Sequence, residues 1–122
     1  MIGYVTLGTN DMEKSARFYD ELLAVLGAKR LMELETFIAW GTDMSAPMLS
    51  IIKPFDGNPA TVGNGVMVAL SLPNQEQVNA LYQKAIELGG ADEGKPGPRG
   101  EAGFYAGYFR DLDGNKINAF CM

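Results

Sequence analysis

The sequence predicts an α+β fold in which a strand, a helix and several short strands occur twice along the chain. Three observations lead to this prediction. Residues 1–8 alternate with a period of two, whereas residues 16–26 carry apolar side chains at helical spacing. The same order of patterns restarts in the second half of the chain. Near the end, Asp113-Gly114-Asn115 separates two apolar, aromatic runs and predicts a hairpin turn.

The first half of the chain contains one predicted helix between predicted strands. β-branched and aromatic residues over residues 1–8 favour a strand. Asn10 followed by Glu13 has the spacing of a capping box and predicts the start of the helix, which Gly27 ends. Three further strands are predicted over residues 31–34, 36–40 and 48–53.

The second half repeats this order after a Gly- and Pro-containing loop over residues 54–65. An apolar strand over residues 66–72 precedes a helix that Gly89-Gly90 closes. At an offset of 63 the identical pairs are Val5/Val68, Leu7/Leu70, Glu13/Glu76, Tyr19/Tyr82, Gly27/Gly90 and Ala28/Ala91. Since one offset aligns all of these, we predict a single domain over residues 1–122 with modules at about 1–57 and 64–122.

The region over residues 91–102 interrupts the second module with prolines and glycines. Because proline cannot donate to a strand ladder, any strand containing Pro96 and Pro98 is expected to be short and at a sheet edge. The segment is a candidate lid over a pocket. Residues 94–100 are glycine-rich, but no helix follows, so a mobile loop is favoured over a phosphate site. Residues 103–110 and 116–122 are the predicted hairpin strands.

Composition excludes several classes of function. The net charge of −5 and the pI of about 4.6 argue against a nucleic acid partner. The chain shows no basic and apolar leader and no apolar run near twenty residues, so we expect a cytoplasmic protein without a membrane segment. Cys121 is the only cysteine and is expected to be a packed thiol. The absence of histidine removes the commonest general base and transition-metal ligand.

The order of these motifs resembles the glyoxalase/bleomycin-resistance/extradiol-dioxygenase superfamily, also called the vicinal oxygen chelate fold. Residues 110–115, Arg-Asp-Leu-Asp-Gly-Asn, are similar to the "DPDGN" hairpin of that family, with Leu112 in place of proline. The strand over residues 4–7, the helix over 16–27, residues 68–70 and residues 85–90 also match. The resemblance implies two βαβββ modules that form a cupped, mostly antiparallel mixed sheet with helices outside, and a site inside the cup.

The resemblance also implies four positions for a metal site. The family's metal enzymes use a histidine on the first strand of each module, a glutamate on the final strand and often a further carboxylate. The matching positions here are Tyr4, Met67, Asn118 and, near the fourth, Ser50. The offset of the repeat independently pairs Tyr4 with Met67. Because these side chains offer neither an anion nor an imidazole, we predict no metal and no other cofactor, which places glyoxalase, dioxygenase and epoxide-opening activities in doubt.

Two interpretations of these positions remain open. In the first, Tyr4, Met67 and Asn118 form the floor of a ligand pocket. The expected aromatic walls of that pocket are Trp40, Tyr105 and Tyr108. In the second, Tyr4 and Met67 fill a closed core, since methionine packs readily into irregular gaps. Asn118 favours the pocket, because an amide in a filled core needs partners for its donors and acceptors.

The remaining charged candidates are expected to be structural. Glu33, Glu35, Asp111 and Asp113 are possible general acids or bases, but they lie in or beside turns, where carboxylates are usually solvated or capping. Arg110 is expected to pair with Asp111 or Asp113.

These observations favour a metal-free protein that binds or sequesters a small organic molecule, without catalysis. The resemblance implies a homodimer, with the cup formed within one chain or across the interface. One alternative is a glyoxalase-like lyase or dioxygenase-like enzyme that uses an unplaced metal or a metal-free acid–base pair. Another is a structural or regulatory dimer with a closed pocket.

Overall fold

The computed structural model describes residues 1–122 and contains two modules with the same order of elements. The first module consists of β1 (Tyr4–Gly8), α1 (Met12–Ala24), β2 (Lys29–Glu33), β3 (Phe37–Gly41) and β4 (Met48–Ile52). The second consists of β5 (Val68–Ser71), α2 (Gln75–Glu87), β6 (Ala91–Pro98), β7 (Tyr105–Arg110) and β8 (Lys116–Cys121). The two helices occupy equivalent positions in the repeat, since 75 − 12 and 87 − 24 both equal 63.

Each module forms its own four-stranded mixed sheet. The strand orders are β1-β4-β3-β2 and β5-β8-β7-β6. The first strand of each module runs parallel to the last strand, and the other pairings are antiparallel. The predicted α+β fold class with mixed sheets is therefore confirmed. No strand of one sheet is hydrogen-bonded to the other sheet, so β1 and β5 each leave one backbone edge unpaired.

The hydrophobic core lies between each sheet and its helix and continues from one module to the other. Leu22 of α1 and Leu81 of α2 are fully buried, and they belong to the same cluster as Ile51 of β4 and Ile117 of β8. The modules meet where α1 packs against α2. Neither helix has the length and apolar character that crossing a membrane requires.

The start of α1 differs from the sequence prediction. Asp11, rather than Asn10, is the N-cap, and its side chain accepts a 3.0 Å hydrogen bond from the Lys14 amide. Asn10 instead contacts the loop between β4 and β5, residues 53–67, which we call the connecting loop. Its side chain exchanges two hydrogen bonds with the Ala60 backbone. Asn74 caps α2 in the same way and is the repeat equivalent of Asp11.

Strand β6 is longer than the sequence predicted. It spans eight residues, and its pairing with β7 shows that the interpretation as a lid loop is wrong. The expected edge position is confirmed. The register shifts between Gly94 and Gly97, so Pro96 is passed over in the ladder, and an edge strand needs only some of its N–H groups paired.

The predicted hairpin is formed by β7 and β8. Gly114 in its turn has φ = 90°, a conformation that favours glycine. The expected pairing of Arg110 with Asp111 or Asp113 does not form. Its Nε donates instead to Glu93 at 2.5 Å, because β6 brings that carboxylate alongside β7. Its Nη1 also donates to the Gly114 carbonyl, which ties the end of β7 to the turn.

Asp111 is buried rather than solvated, which corrects the sequence expectation. Only 5% of its surface is exposed, and its carboxylate accepts four hydrogen bonds. Oδ1 accepts from the Asp113 and Asn115 amides at 3.0 and 2.9 Å, and Oδ2 accepts from Asn115 Nδ2 at 2.9 Å. The Tyr19 hydroxyl of α1 donates the fourth bond to Oδ2 at 2.6 Å. The turn of the second module therefore takes one of its partners from the first.

Two more hydrogen bonds join this turn to the first module. The Asn10 amide donates to Asp113 Oδ1 at 2.9 Å, and Asn115 Nδ2 donates to the Gly8 carbonyl at 3.0 Å.

Burial, together with the adjacent carboxylate, raises the pKa of Tyr19 well above its ordinary value, so its hydroxyl stays protonated and donates. Burial also raises the pKa of Asp111, although the donated hydrogen bonds oppose this shift.

We expect Tyr19→Phe to lower the free energy of unfolding by about 1–3 kcal/mol, because it removes a donor from a buried carboxylate. The matched control is Tyr82→Phe at the equivalent repeat position. The Tyr82 hydroxyl donates to Asp92, which is exposed, so its loss should cost less than about 1 kcal/mol. Urea denaturation of both variants and the wild type measures the difference.

The deficit of Tyr19→Phe should also depend on pH. The hydrogen bond from Tyr19 lowers the pKa of Asp111, so its removal raises the folded-state pKa further above the unfolded value. At pH values between the Asp111 pKa of the folded wild type and that of the folded variant, the folded variant binds more protons than the folded wild type. The loss of unfolding free energy in the variant therefore grows as pH rises through that range. The loss should therefore be smaller at about pH 4 than at about pH 7. Equal losses at both pH values, or an equal loss in Tyr82→Phe, would contradict this assignment.

Candidate functional site

Each sheet has one face that no helix covers. Side chains alternate between the two faces of a strand. In β8 the core residues therefore alternate with Lys116, Asn118 and Phe120, and in β4 Ser50 lies opposite the core side. We call these surfaces the first helix-free face, on β1–β4, and the second helix-free face, on β5–β8.

The first helix-free face carries two of the four predicted site residues. Tyr4 on β1 is 57% exposed, and its ring packs edge-to-face on Phe37 with centroids 5.7 Å apart. Ser50 on β4 is buried, and its hydroxyl donates to the Val5 carbonyl at 2.5 Å. The hydroxyl proton of Ser50 is therefore already engaged by the backbone.

The other two predicted residues lie on the second module. Met67 directly precedes β5 and is partly exposed. Asn118 on β8 is only 1% exposed and lies opposite Tyr108 of β7 in the sheet register. Its Nδ2 donates to the Gly107 carbonyl at 3.1 Å. One chain thus holds the four positions as two pairs, on two sheets that share no hydrogen bonds.

These four side chains do not fit a divalent metal ion. They offer a phenol, a hydroxyl that already donates to a carbonyl, a thioether and an amide. A divalent cation gives up its hydration in exchange for carboxylate, imidazole or thiolate ligands, and none is present among the four. No group of three or more His, Cys, Asp or Glu side chains elsewhere in the chain is arranged to hold a metal ion.

Of the three aromatic residues expected as pocket walls, only Tyr108 lies on a helix-free face. Trp40 is buried on the helix side, where its Nε1 donates to Asp20 of α1 at 2.9 Å. Tyr105 also points toward a helix, since its hydroxyl donates to Asn79 of α2 at 2.7 Å. Trp40 and Tyr105 therefore do not share a face with Tyr4 or Asn118, because a one-residue difference along a strand reverses the face that a side chain occupies.

Three of the four carboxylates considered as acids or bases have structural partners. Asp111 and Asp113 join the two modules, as described above. Glu33 forms an ion pair with Arg30 at 2.7 Å. Glu35 lies in the exposed connection between β2 and β3.

The second helix-free face contains further side chains that were not among the predicted site residues. Arg99 and Lys116 both lie near the Tyr108 ring, with Cζ and Nζ at 5.5 and 5.6 Å from its centroid. Phe104 stacks on Phe120 with ring centroids 5.3 Å apart. The period-two pattern of β8 could have indicated Lys116 and Phe120, since they share the parity of Asn118. Arg99 carries no such signal, because it follows β6 in an irregular segment.

Two cavities lie beside the sheets, one next to the second helix-free face and one on the helix side. The cavity next to the second helix-free face has a volume of about 480 Å³ and lies between residues 62–67, at the end of the connecting loop, and the side chains of Arg110 and Lys116. The other is an apolar groove of about 300 Å³ between the free edges of β1 and β5 and the end of α1. Its lining is mostly hydrophobic and includes Ile2, Val5, Leu26, Trp40, Met48, Val68 and Leu70.

Comparison with known proteins assigns the family. Two βαβββ modules, each with one helix-free face, define the chain as an α+β repeat protein. The sequence matches the family model described as the Glyoxalase/Bleomycin resistance protein/Dioxygenase superfamily over residues 1–119. The chain belongs to this superfamily.

Solved structures agree with the assignment. A crystal structure of a glyoxalase/bleomycin resistance protein from Albidiferax ferrireducens T118 is 36% identical, with 100% of this chain and 98% of that chain covered and a TM-score of 0.91. The hypothetical protein SA1046 from S. aureus is 27% identical, with coverage of 100% and 93% and a TM-score of 0.73. A glyoxalase-related enzyme from Fulvimarina pelagi shares the fold at 22% identity, with coverage of 100% and 88% and a TM-score of 0.78. No curated protein gives a significant match.

Gly94 allows β6 to lie close against Tyr108, and its replacement should disturb the second helix-free face. Its φ is +152°, and an added Cβ would lie 3.1 Å from Tyr108 Cδ1. We expect Gly94→Ala to lower the free energy of unfolding by about 2 kcal/mol or more, from backbone strain and crowding together. Tyr108 ring resonances in NMR spectra should shift with it.

The matched control is Gly57→Ala. Gly57 also has a positive φ, of +77°, but an added Cβ there meets nothing within 4 Å. Its cost should be only the backbone strain, about 1 kcal/mol. If the two variants are equally stable, or if Tyr108 resonances do not move in Gly94→Ala, the close approach at Gly94 is not a constraint on this face.

Proposed function

We propose that this chain binds a small organic molecule on its helix-free faces, without a metal ion and without catalysing a reaction. The observation that carries the proposal is the donor set at Tyr4, Ser50, Met67 and Asn118. The resemblance of the sequence matches these positions to the metal ligands of the superfamily's enzymes, and here they provide neither charge nor imidazole. The chain keeps the fold of the superfamily, but these four side chains supply no suitable ligands for a catalytic metal ion.

The surroundings of these positions suit an organic ligand. Tyr4 and Phe37 form an aromatic pair on the first helix-free face, and Phe104 and Phe120 form a stacked pair on the second. Tyr108 lies beside the second pair, and the charged ends of Arg99 and Lys116 are the polar groups next to this aromatic surface. Apolar and aromatic walls with few polar groups are typical of small-molecule sites.

We further propose that two copies of the chain form a homodimer, in which the first helix-free face of one copy and the second of the other enclose the ligand. The free edges of β1 and β5 support this arrangement, because unpaired edges with apolar side chains are usually covered. Ile2 and Val66, beside these edges, are 54% and 59% exposed. The proposed location is the cytoplasm, which agrees with the single, buried Cys121 thiol.

We expect tag-free protein to retain less than about 0.1 metal ion per chain after incubation with nickel, zinc, manganese or iron(II) and removal of free ion, because the donor set is too weak. Elemental analysis measures the content. The positive control is the triple variant Tyr4→His/Met67→His/Asn118→Glu, which should gain metal if these positions converge. Stoichiometric metal in the wild type would contradict the proposal and would favour a lyase-like or dioxygenase-like enzyme.

The homodimer predicts a specific sensitivity of the β1 edge to charge. Ile2→Glu should raise the dimer dissociation constant by about tenfold or more, because the interface would bury an unpaired carboxylate. Phe55→Glu is the matched control, since Phe55 is fully exposed on the connecting loop. Sedimentation velocity at several concentrations measures both. A wild-type monomer at all concentrations, or equal dissociation in the two variants, would rule out this interface.

A further inference from the structure

We propose that the ligand of the second helix-free face is an aromatic carboxylate. This inference rests on the proposed binding function and names the chemical class of the ligand. It depends on three features of the face: two cations without acidic partners, an aromatic surface beside them, and a fixed position for one of the cations.

Arg99 and Lys116 have no acidic partner in the chain. The five ion pairs of the protein involve Arg17, Arg30, which pairs twice, Lys84 and Arg110. The protein has more carboxylates than cations, with a net charge of −5. Arg99 and Lys116 are both partly buried and both lie near one tyrosine ring, and an anion is the group that would complete them.

The carboxylates nearest in the sheet are already engaged. Glu93 on β6 pairs with Arg110, and Asp92 accepts from the Tyr82 hydroxyl on the helix side. The ring of Tyr108 stabilises both Arg99 and Lys116 through cation–π contacts, which do not neutralise their charge. Both cations therefore keep donors free for a ligand.

The guanidinium of Arg99 is held in place by backbone carbonyls. Its Nη2 donates to the Lys95 carbonyl at 2.6 Å, and its Nη1 donates to the Gly97 and Pro98 carbonyls at 2.9 and 3.3 Å. These bonds leave Nε and one Nη2 proton available. A cation that is already ordered loses little side-chain entropy when it binds an anion, so the position favours recognition.

The aromatic part of the ligand is indicated by the order of side chains along β8. Lys116, Asn118 and Phe120 follow one another on the second helix-free face, a span of roughly 13 Å at about 3.3 Å per residue. Phe104 extends the apolar end by stacking on Phe120. A planar molecule can therefore place its rings against Tyr108 and Phe120 and its carboxylate toward Lys116 and Arg99.

The test compares three probes that share one ring system and differ in charge: 2-naphthoate, 2-naphthalenemethanol and 2-naphthylmethylamine. Titration calorimetry at neutral pH and low salt gives the affinities, and NMR shift mapping identifies the face that binds. We expect the acid to bind about tenfold or more tightly than the alcohol, and the amine to bind most weakly, because charge-assisted hydrogen bonds form only with the acid.

Lys116→Met should reduce the affinity for 2-naphthoate by about tenfold and leave the affinity for the alcohol nearly unchanged. Lys14→Met is the matched control, because Lys14 is an exposed lysine on α1 and the charge change is the same. NMR spectra confirm that both variants are folded. Equal weakening in the two variants would show that only the net charge matters and would overturn the inference.

The outcomes separate this inference from the proposed function. If the alcohol or the amine binds to the helix-free faces as tightly as the acid, the ligand class is wrong, while binding of a small organic molecule stands. If none of the three probes shifts resonances of either helix-free face at millimolar concentration, both the inference and the proposed function fail. Preferential binding of the acid that is lost in Lys116→Met supports both.

Discussion

The hydrogen bond from Tyr19 to Asp111 connects the two modules at a point where neither module is complete alone. A carboxylate with 5% exposure is costly unless its oxygens are satisfied. Three of its four donors come from its own turn, and the fourth comes from α1 of the other module. The conformation of the β7–β8 hairpin, and with it the second helix-free face, therefore depends on the packing of the first module.

This connection decides which surfaces stay free. The modules are joined through α1, α2 and the turn after β7, on the helix side of both sheets. The opposite faces and the edges of β1 and β5 are consequently not used within the chain. A ligand on either face has one wall from this chain, and a second copy that covers the free edges can supply the other. The proposed homodimer would use these free faces and edges.

The repeat made most of the fold predictable, whereas the partners of individual side chains could not be predicted from it. The offset of the repeat aligns every position of α2 with one of α1. It also aligns the two N-cap residues, Asp11 and Asn74, and so could have predicted Asp11 as the N-cap. Sequence could not show that Trp40 and Tyr105 face the helices, because that depends on a register of one residue. Nor could it show that Asp111 is buried, because its partner Tyr19 is 92 residues away in the chain.

The two modules differ in the contacts that equivalent positions make. Tyr19 and Tyr82 occupy equivalent positions, yet the first reaches across to the other module and the second bonds Asp92 of its own sheet. The helix-free faces also differ: Tyr4 and Phe37 form an aromatic pair on the first, whereas Lys116 and Arg99 place two cations around Tyr108 on the second. In the proposed dimer each cup joins one face of each kind. Such a cup would bind an asymmetric ligand in one orientation, with its charged end on the second module and its apolar end on the first.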